Sequence, residues 1–329
     1  MVKNFADKLV EAVKMKGSSI CVGLDPRLDK IPKFLKMKAI EDGDKTPFGA
    51  AASAILEFNK GIIDAVKDLV PVVKPQIAFY EIFGHEGIRC YEETLKYAKL
   101  QGLLTIADAK RNDIGSTAEA YAQAFLGETV LFEGDEEVIM PAFDADAVTV
   151  TPYLGWDGIK PFIEECKKYG KGIFILDKTS NPSSSDLQDL EVMERDGAIE
   201  KKTGKALYEI VGHLIDSWGA NDIGENGYSF VGAVVGATFP EQAKRLREIM
   251  PNAYFLVPGY GAQGGKASDV AVCFGGGSAG LGEKGLGAIV NNSRGITNAY
   301  EILGYDESKY AEAAREAVMK MKMDLAGVM

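Results

Sequence analysis

The feature that most constrains this fold is a series of short apolar segments, rich in β-branched residues, that recurs along the whole chain. Each segment has the length of a strand and is bounded by polar or glycine-containing stretches, as expected for strands buried on both faces. About eight such segments can be counted, the number needed to close a barrel. The predicted strands are residues 19–24, 70–73, 103–107, 147–150, 172–176, 230–235, 254–257 and 288–290.

Amphipathic stretches long enough for helices separate most of these strands, at residues 50–68, 86–99, 159–169 and 240–249. Regular alternation of strand and helix predicts an α/β protein with a parallel sheet. With this number of strands, the pattern favours a closed (β/α)8 TIM barrel, and the 329 residues are expected to form a single barrel domain. Two long connections, 29–46 and 180–228, are interpreted as loops or added helices on the barrel.

Composition narrows the class of function. The formal charge of -11 and a pI near 4.9 leave no basic field for a polyanion, so nucleic-acid binding is not expected. No apolar run reaches membrane-spanning length, and the first sixteen residues mix charges with apolar residues, so we expect a cytoplasmic protein without membrane contact. The chain has only two histidines, and its four cysteines form no CxxC pair, which predicts neither a metal site nor a disulfide framework.

Polar or glycine-rich residues follow nearly every predicted strand. In barrels of this kind the loops after the strands build the active site at the carboxyl ends of the strands. The pattern therefore predicts that these groups converge on one mouth and that the protein is an enzyme. The strand-end groups are Asp25, Lys74, Asp108 with Lys110, Thr151, residues 178–180, Gly236, residues 258–265 and residues 291–294.

The sharpest motif is the run DAKRND at residues 108–113, directly after a predicted strand. Residues two apart on a strand share a face, so Asp108 and Lys110 are expected to point together into the barrel mouth. The following STAE, residues 116–119, is interpreted as a capping box that begins a helix and holds Asp113 and Thr117 near its positive end. An alternative interpretation is that these charges form only a structural ion-pair girdle around the strand end.

Residues 107–117, reading ADAKRNDIGST, resemble the signature of the orotidine 5'-phosphate decarboxylase family, in its longer bacterial (type 2) form. Further resemblances follow in order along almost the whole chain and fall at successive strand ends, which makes the similarity specific. They are VGLDP at 22–26, VKPQ at 73–76, TSNP at 179–182, PGYGAQGG at 258–265 and NSRGI at 292–296.

The resemblance implies a carboxy-lyase that converts orotidine 5'-monophosphate (OMP) to UMP and CO2 in de novo pyrimidine biosynthesis, without a cofactor. It implies that an alternating array of charges carries the catalysis, with Lys110 protonating C6 of the pyrimidine. The array is Lys74, Asp108, Lys110 and Asp113. The substrate-binding roles implied are Asp25 with Lys74 for the ribose hydroxyls, Ser180 for the pyrimidine, and Gln263 with Arg294 for the phosphate.

The resemblance also implies a homodimer in which Asp113 and Thr117 reach into the active site of the neighbouring subunit. Three segments, near 127–146, 186–205 and 274–285, have no counterpart in compact members of the family and are expected to be inserted loops. Which residues form a closing lid stays open.

Three other functions are weighed against this interpretation. A sugar-phosphate decarboxylase or aldolase of the same barrel superfamily shares the Asp-x-Lys-x-x-Asp element but uses magnesium. A nucleotide-binding protein without catalysis is a second alternative, which the intact Lys110 and both aspartates disfavour. Two GxGxxG matches do not favour a dinucleotide site, because the one at 259–264 lies late in the chain, outside an opening βαβ unit, and the one at 280–285 precedes a strand.

Overall fold

The computed structural model describes residues 2–42, 46–132, 138–196, 199–261, 263–275 and 285–328. The strands, numbered in chain order, are β1 (Ile20–Leu24), β2 (Val72–Pro75), β3 (Leu104–Arg111), β4 (Thr129–Phe132), β5 (Val138–Met140), β6 (Ala147–Val150), β7 (Gly172–Leu176), β8 (Glu191–Asp196), β9 (Ile199–Ala206), β10 (Ser229–Val234), β11 (Ala253–Val257) and β12 (Ala288–Asn292).

Eight of these strands form a closed barrel in the order β1-β12-β11-β10-β7-β6-β3-β2, and every pairing in it is parallel. The predicted (β/α)8 class is thus confirmed. The eight barrel strands are the eight that the apolar segments predict, and the bounds of β6 and β7 coincide with the prediction. The largest difference is in β3, which continues through the DAKR sequence to Arg111.

The helices lie between the strands and around the barrel, with the predicted 240–249 segment matching one helix from end to end. They are α1 (Phe5–Lys16), α2 (Lys33–Glu41), α3 (Pro47–Val66), α4 (Ala78–Glu81), α5 (Gly84–Leu100), α6 (Gly115–Leu126), α7 (Trp156–Tyr169), α8 (Leu207–Gly219), α9 (Pro240–Ile249), α10 (Ala267–Val270), α11 (Arg294–Thr297), α12 (Ala299–Leu303) and α13 (Tyr310–Ala326). Within the described ranges, none of these helices has the length and apolarity needed to cross a bilayer.

The core lies inside the barrel and between the barrel and its helices. Every residue of β1, β2, β6, β10, β11 and β12 is buried, which explains why most positions of these strands are apolar. Helix α3 buries Ile55, Phe58 and Ile62, spaced three and four residues apart, on one face. Each fully buried side chain of this type contributes about 1.5–3 kcal/mol to folding, so the barrel is held mainly by apolar burial.

Helix α1 packs against the amino-terminal end of the barrel. Phe5 meets Phe174 of β7 edge-on, with ring centroids 6.0 Å apart. The buried Asp7 carboxylate accepts hydrogen bonds from the backbone N–H groups of Glu225 and Asn226 at 3.0 and 2.8 Å. This end of the barrel is thereby covered, and the carboxyl-terminal end is the side where a substrate can enter.

Two of the three predicted inserted loops are β-hairpins. Antiparallel strands β4 and β5 occupy the segment near 127–146, and β8 and β9 occupy the segment near 186–205. The prediction of loops was wrong here because runs such as Val130 to Phe132 have the β-propensity of strands but are too short to stand out beside the barrel strands. Of the third segment, residues 276–284 lie outside the described residues.

The predicted capping box at Ser116 is also wrong. Helix α6 begins at Gly115, with Ile114 as the N-cap residue, so Ser116 already lies inside the helix and cannot cap it. Gly115 has a φ of 53°, a left-handed conformation that glycine adopts without steric cost. The carboxylate of Asp113 accepts a hydrogen bond from the backbone N–H of Ile114 at 2.8 Å instead.

Candidate active site

A cavity of about 660 Å³ opens at the carboxyl ends of the barrel strands. Its position is the one expected for the active site of a (β/α)8 barrel, and its size is typical of a small-molecule site. Seven of the nine residues predicted for the site line it: Asp25, Lys74, Asp108, Lys110, Ser180, Gln263 and Arg294.

Three charged side chains form a hydrogen-bonded row in this cavity. Lys74 Nζ donates to Asp108 Oδ2 at 2.6 Å, and Lys110 Nζ donates to Asp108 Oδ1 at 2.6 Å. The side chains of Lys74 and Asp108 are only 6% and 9% exposed, whereas that of Lys110 is 44% exposed. Lys110 is therefore the member of the row whose amine is open to a ligand.

The electrostatics of the row keep both buried partners charged. Burial by itself would raise the pKa of Asp108, but the positive charges of Lys74 and Lys110 outweigh it and hold this pKa well below its usual range. Burial would likewise lower the pKa of Lys74, but the carboxylates of Asp108 and Asp25 outweigh it and raise this pKa. At neutral pH the cavity thus contains a buried carboxylate between two ammonium groups.

The strand that carries the motif is irregular at the site. Ala107 of β3 pairs with Val148 of β6, but the next pair joins Arg111 to Val150, so β3 accommodates two extra residues in a bulge. Lys110 within it has a φ of 48°, which for a side chain larger than glycine costs about 1–2 kcal/mol. Strain of this kind is often found at functional sites.

Thr149 of β6 is a site residue that the sequence analysis missed. It is 1% exposed and lines the cavity, and its hydroxyl donates to Asp108 Oδ1 at 3.0 Å. The hydroxyl oxygen of Thr149 also accepts a hydrogen bond from the backbone N–H of Lys110 at 2.9 Å. A polar residue in the middle of an otherwise apolar buried strand was the signal in the sequence that could have found it.

Unpartnered polar atoms lie along the side of the cavity formed by β1 and β12. Asp25 Oδ1, Asn291 Oδ1 and Ser293 Oγ find no hydrogen-bond partner among the described residues, although buried polar atoms normally have one. The two strands approach closely, since a Cβ on Gly23 would lie 2.7 Å from Ser293 Cβ. This wall can therefore receive hydroxyl groups of a ligand beside Lys74.

The segment after β7 folds over the cavity, and the buried side chain of Lys178, 0% exposed, anchors it. Lys178 Nζ donates to Asp189 Oδ1 at 2.8 Å and to Ser184 Oγ at 3.0 Å, and it lies 4.3 Å from the centre of the Phe239 ring. Residues 180–188 of this segment contribute cavity-lining side chains that include Ser180 and Gln188. The segment closes one side of the cavity with polar groups.

Ser180 itself lies between two glycines at the ends of neighbouring strands. A Cβ on Gly236 would lie 2.7 Å from the backbone nitrogen of Ser180, and one on Gly259 would lie 3.1 Å from Ser180 Cβ. Larger residues at these two positions would push Ser180 away from the cavity. The glycines after β10 and β11 thus allow the pyrimidine-binding position that the resemblance implies.

Gln263 and Arg294 lie at the exposed rim of the cavity, after β11 and β12. The glycine-rich turn that carries Gln263 is held by its own backbone: the N–H groups of Gly261, Gly264 and Gly265 all donate to carbonyl oxygens within the turn. These three N–H groups are consequently not the ones that would bind a phosphate. The guanidinium of Arg294 and the side-chain amide of Gln263 are the rim groups with donors for an anion.

Asp113 and Thr117 are the two predicted site residues that the structure does not bring into the cavity. Asp113 is half-buried beside the start of α6, and Thr117 is exposed on that helix. Between them, Ile114 is 50% exposed. The pair therefore lies on the outer surface of its own chain at the same end of the barrel.

Comparison with known proteins agrees with this geometry. The profile of the Orotidine 5'-phosphate decarboxylase / HUMPS family matches residues 18–302. The orotidine 5'-phosphate decarboxylase of Caldicellulosiruptor bescii is 43% identical over 319 residues, covering 97% of each chain. That of Rhodopirellula baltica is 43% identical over 327 residues, covering 98% of this chain and 99% of the relative. The solved structure of Leishmania donovani OMP decarboxylase superimposes with a TM-score of 0.67 at 31% identity, covering 99% of this chain and 98% of the other. The chain belongs to the orotidine 5'-phosphate decarboxylase / HUMPS family.

Proposed function

We propose that this protein decarboxylates OMP to UMP and CO2, with residues 1–329 acting as one barrel domain. The observation that carries the proposal is the row Lys74–Asp108–Lys110, with 2.6 Å contacts, in a cavity whose rim also holds Arg294. Relatives named for this activity align over almost the entire chain. The row supplies charge for the reacting carbon, and the rim supplies charge for a phosphate.

The chemistry requires a positive group next to C6 of the pyrimidine. Loss of CO2 leaves an electron pair on C6 in an sp2 orbital that cannot delocalise into the ring. The ammonium of Lys110, held in place by Asp108, stabilises this developing anion and then transfers a proton to C6, which yields UMP and a neutral amine. Solvent restores the proton on Lys110 because its side chain is partly exposed. No electron sink is needed in this sequence of steps.

Asp108 has a second role beside the departing carboxylate. Two like charges about 4 Å apart repel by roughly 4 kcal/mol at an effective dielectric constant near 20. Relief of that repulsion as CO2 leaves favours the reaction, but enzymes lower such barriers by roughly 8–23 kcal/mol. Most of the effect is therefore assigned to the preorganised charge of Lys110 and to the binding energy of the phosphate and ribose.

Binding of the remote groups follows from the lining of the cavity. Arg294 offers a bidentate fork for the phosphate, and Gln263 adds an amide donor. Asp25 and Lys74 face the ribose hydroxyls, and Ser180 faces the pyrimidine. The unpartnered Asp25 Oδ1 supports the ribose assignment, because a hydroxyl would satisfy it.

The magnesium-dependent alternative makes different use of the same motif. In the structure both oxygens of Asp108 accept hydrogen bonds from lysine amines, the arrangement of an ion-pair row. An Asp108 carboxylate whose two oxygens are both engaged by amines supports direct decarboxylation over the magnesium-dependent alternative.

The test is the loss of OMP absorbance with purified wild type, Lys110→Ala and a control, Lys96→Ala. Lys96 is a surface residue of α5, 54% exposed, whose amine pairs with Glu92. We expect turnover by wild type and Lys96→Ala, unchanged by EDTA, and loss of turnover in Lys110→Ala. Inactive wild type would refute the proposed activity, and strict dependence on magnesium would falsify the cofactor-free mechanism.

We further propose a homodimer in which Asp113 and Thr117 complete the site of the neighbouring subunit. Their position outside the cavity of their own chain supports this arrangement, as does the exposed Ile114 between them. In such a dimer Asp113 extends the row to four alternating charges. Thr117 then contacts the ribose of the substrate bound in the partner.

A further inference from the structure

We propose that Thr149 is a positioning residue that fixes the strained backbone of Lys110 and the carboxylate of Asp108 relative to each other. The inference rests on the proposed function, since it concerns how the amine of Lys110 is aimed at C6. Thr149 lies on β6, the strand next to the one that carries the motif, and is 1% exposed.

The bulge in β3 creates the need for such a residue. In a regular parallel pair, the N–H of Lys110 would find an acceptor in the backbone of the neighbouring strand. The two extra residues between Ala107 and Arg111 interrupt that pairing, and an N–H buried without an acceptor is unfavourable. The hydroxyl of Thr149, 2.9 Å from the Lys110 nitrogen, provides the acceptor in place of the strand.

The same hydroxyl closes a ring of hydrogen bonds with the catalytic pair. Its proton goes to Asp108 Oδ1 at 3.0 Å, and Asp108 Oδ1 also accepts from Lys110 Nζ at 2.6 Å. Both ends of Lys110, its backbone nitrogen and its amine, are thus tied to Thr149 or to the carboxylate that Thr149 contacts. Lys110 keeps its left-handed φ of 48° under this constraint.

Removal of the hydroxyl should let the backbone of Lys110 relax and move its amine away from C6. Thr149→Val keeps the shape but loses the oxygen, and Thr149→Ala and Thr149→Ser differ from each other only by that oxygen. Because hydrogen bonds to charged groups are among the strong ones, we expect kcat to fall about 10- to 100-fold in the Val and Ala variants. Thr149→Ser should stay within about 3-fold of wild type, since it keeps both hydrogen bonds.

Affinity for the product distinguishes positioning from general damage. The Kd of UMP, measured by calorimetry, should change by less than about 3-fold in all three variants, because the ribose and phosphate contacts lie elsewhere. Should Thr149→Val fail to fold, as judged by circular dichroism, the Ser and Ala pair answers the same question. A high-resolution structure of the Ala variant should show Lys110 Nζ displaced from its 2.6 Å contact with Asp108.

Thr105→Val is a matched control at the opposite end of β3. The hydroxyl of Thr105 likewise accepts from a backbone N–H and donates to a carboxylate, both of Asp146, at 3.2 and 3.0 Å. It is buried to the same degree but lies at the amino-terminal end of the strand. We expect this variant to lose stability and keep the kcat of wild type.

The outcomes separate this inference from the proposed function. Wild type without turnover overturns the proposed function, and this inference with it. If wild type turns over OMP, the inference alone is overturned by any of three results: an unchanged kcat in Thr149→Val and Thr149→Ala, no rescue by Thr149→Ser, or an equal loss of kcat in Thr105→Val.

Discussion

The Lys74–Asp108 pair should contribute strongly to stability as well as to catalysis, and replacing Lys74 with methionine tests this. Lys74 Nζ contacts Asp108 Oδ2 at 2.6 Å, and the two side chains are 6% and 9% exposed. Methionine preserves most of the volume and the apolar stem of lysine. Its thioether cannot donate, so Asp108 Oδ2 loses the amine that it contacts.

The magnitude follows from what remains around the carboxylate. Removing one partner of a buried ion pair costs about 3–5 kcal/mol, because the other charge is left uncompensated. Asp108 keeps Lys110 and Thr149, both on Oδ1, so the lower end of that range applies. We expect Lys74→Met to lower the free energy of unfolding by about 3 kcal/mol. With an m value near 3 kcal/mol/M, this moves the urea midpoint down by roughly 1 M.

Urea unfolding of wild type, Lys74→Met, Asp108→Asn and the double variant measures the coupling directly. If the pair is coupled, the double variant should be less destabilised than the sum of the single variants, by about 1.5–3 kcal/mol. Lys96→Met is the control, and as an exposed substitution it should change stability by less than about 0.5 kcal/mol. Additivity of the two single effects to within about 0.5 kcal/mol would refute the coupling inferred from the structure.

Three further predictions address the phosphate, the partner subunit and the acid side of the stability curve. Arg294→Ala should lower kcat/KM for OMP by roughly 100-fold or more, because it removes a bidentate charged contact; full catalytic efficiency would mean that the phosphate assignment is wrong. Mixed dimers of the inactive variants Asp113→Ala and Lys110→Ala should recover about a quarter of wild-type activity, since half of the dimers are hybrids with one complete site; if Asp113 serves its own chain, co-expression recovers nothing. Hydrogen bonds from Arg315, at 2.6 and 2.8 Å, lower the pKa of Asp68 to about 2. A depressed carboxyl pKa stabilises the fold above the unfolded value near 3.9, and this stabilisation is lost as pH falls toward about 2. Because the Asp68–Arg315 pair is largely exposed, the free energy of unfolding of wild type should exceed that of Asp68→Asn by less than about 1 kcal/mol at pH 7. The difference in unfolding free energy should shrink between about pH 4 and pH 2, and a difference that grows there would contradict the assignment.

The barrel could be predicted from the sequence because its strands are buried on both faces. That burial leaves mainly apolar runs, such as β7 and, apart from Thr149, β6, and the bounds of both strands coincide with the prediction. The hairpins β4–β5 and β8–β9 leave no such pattern. Five of the residues in the first hairpin are between 40% and 50% exposed, namely Val130, Leu131, Val138, Ile139 and Met140, and Phe132 is 65% exposed, so burial does not set their periodicity.

The polar ends of the strands could be predicted for the same topological reason, since parallel strands in a barrel deliver their carboxyl ends to one mouth. This argument places Asp25, Lys74, Asp108, Lys110 and the rim residues in one cavity, as observed. The argument does not predict side chains from the middle of a strand that form hydrogen bonds with the site residues. Thr149 and the buried Lys178 contact the site through side-chain geometry that only the folded barrel specifies.

The sequence analysis predicted correctly that Asp108 and Lys110 point together into the barrel mouth, but it assumed a regular strand, and β3 is irregular at this point. In a regular strand, side chains two residues apart lie on one face about 6.6 Å apart, too far for a direct contact without reach by the lysine. In the structure β3 bulges between Ala107 and Arg111, and Lys110 adopts a left-handed φ. The contact of 2.6 Å between its amine and Asp108 is made on this distorted backbone.

Because a relaxed extended conformation is lower in energy for lysine, the distortion of the Lys110 backbone persists only where neighbours hold it. The neighbour that contacts both the backbone nitrogen of Lys110 and the carboxylate of Asp108 is Thr149. The geometry of the Asp108–Lys110 contact therefore depends on β6 as much as on the motif itself, and a transplant of DAKRND onto a regular strand should not reproduce it.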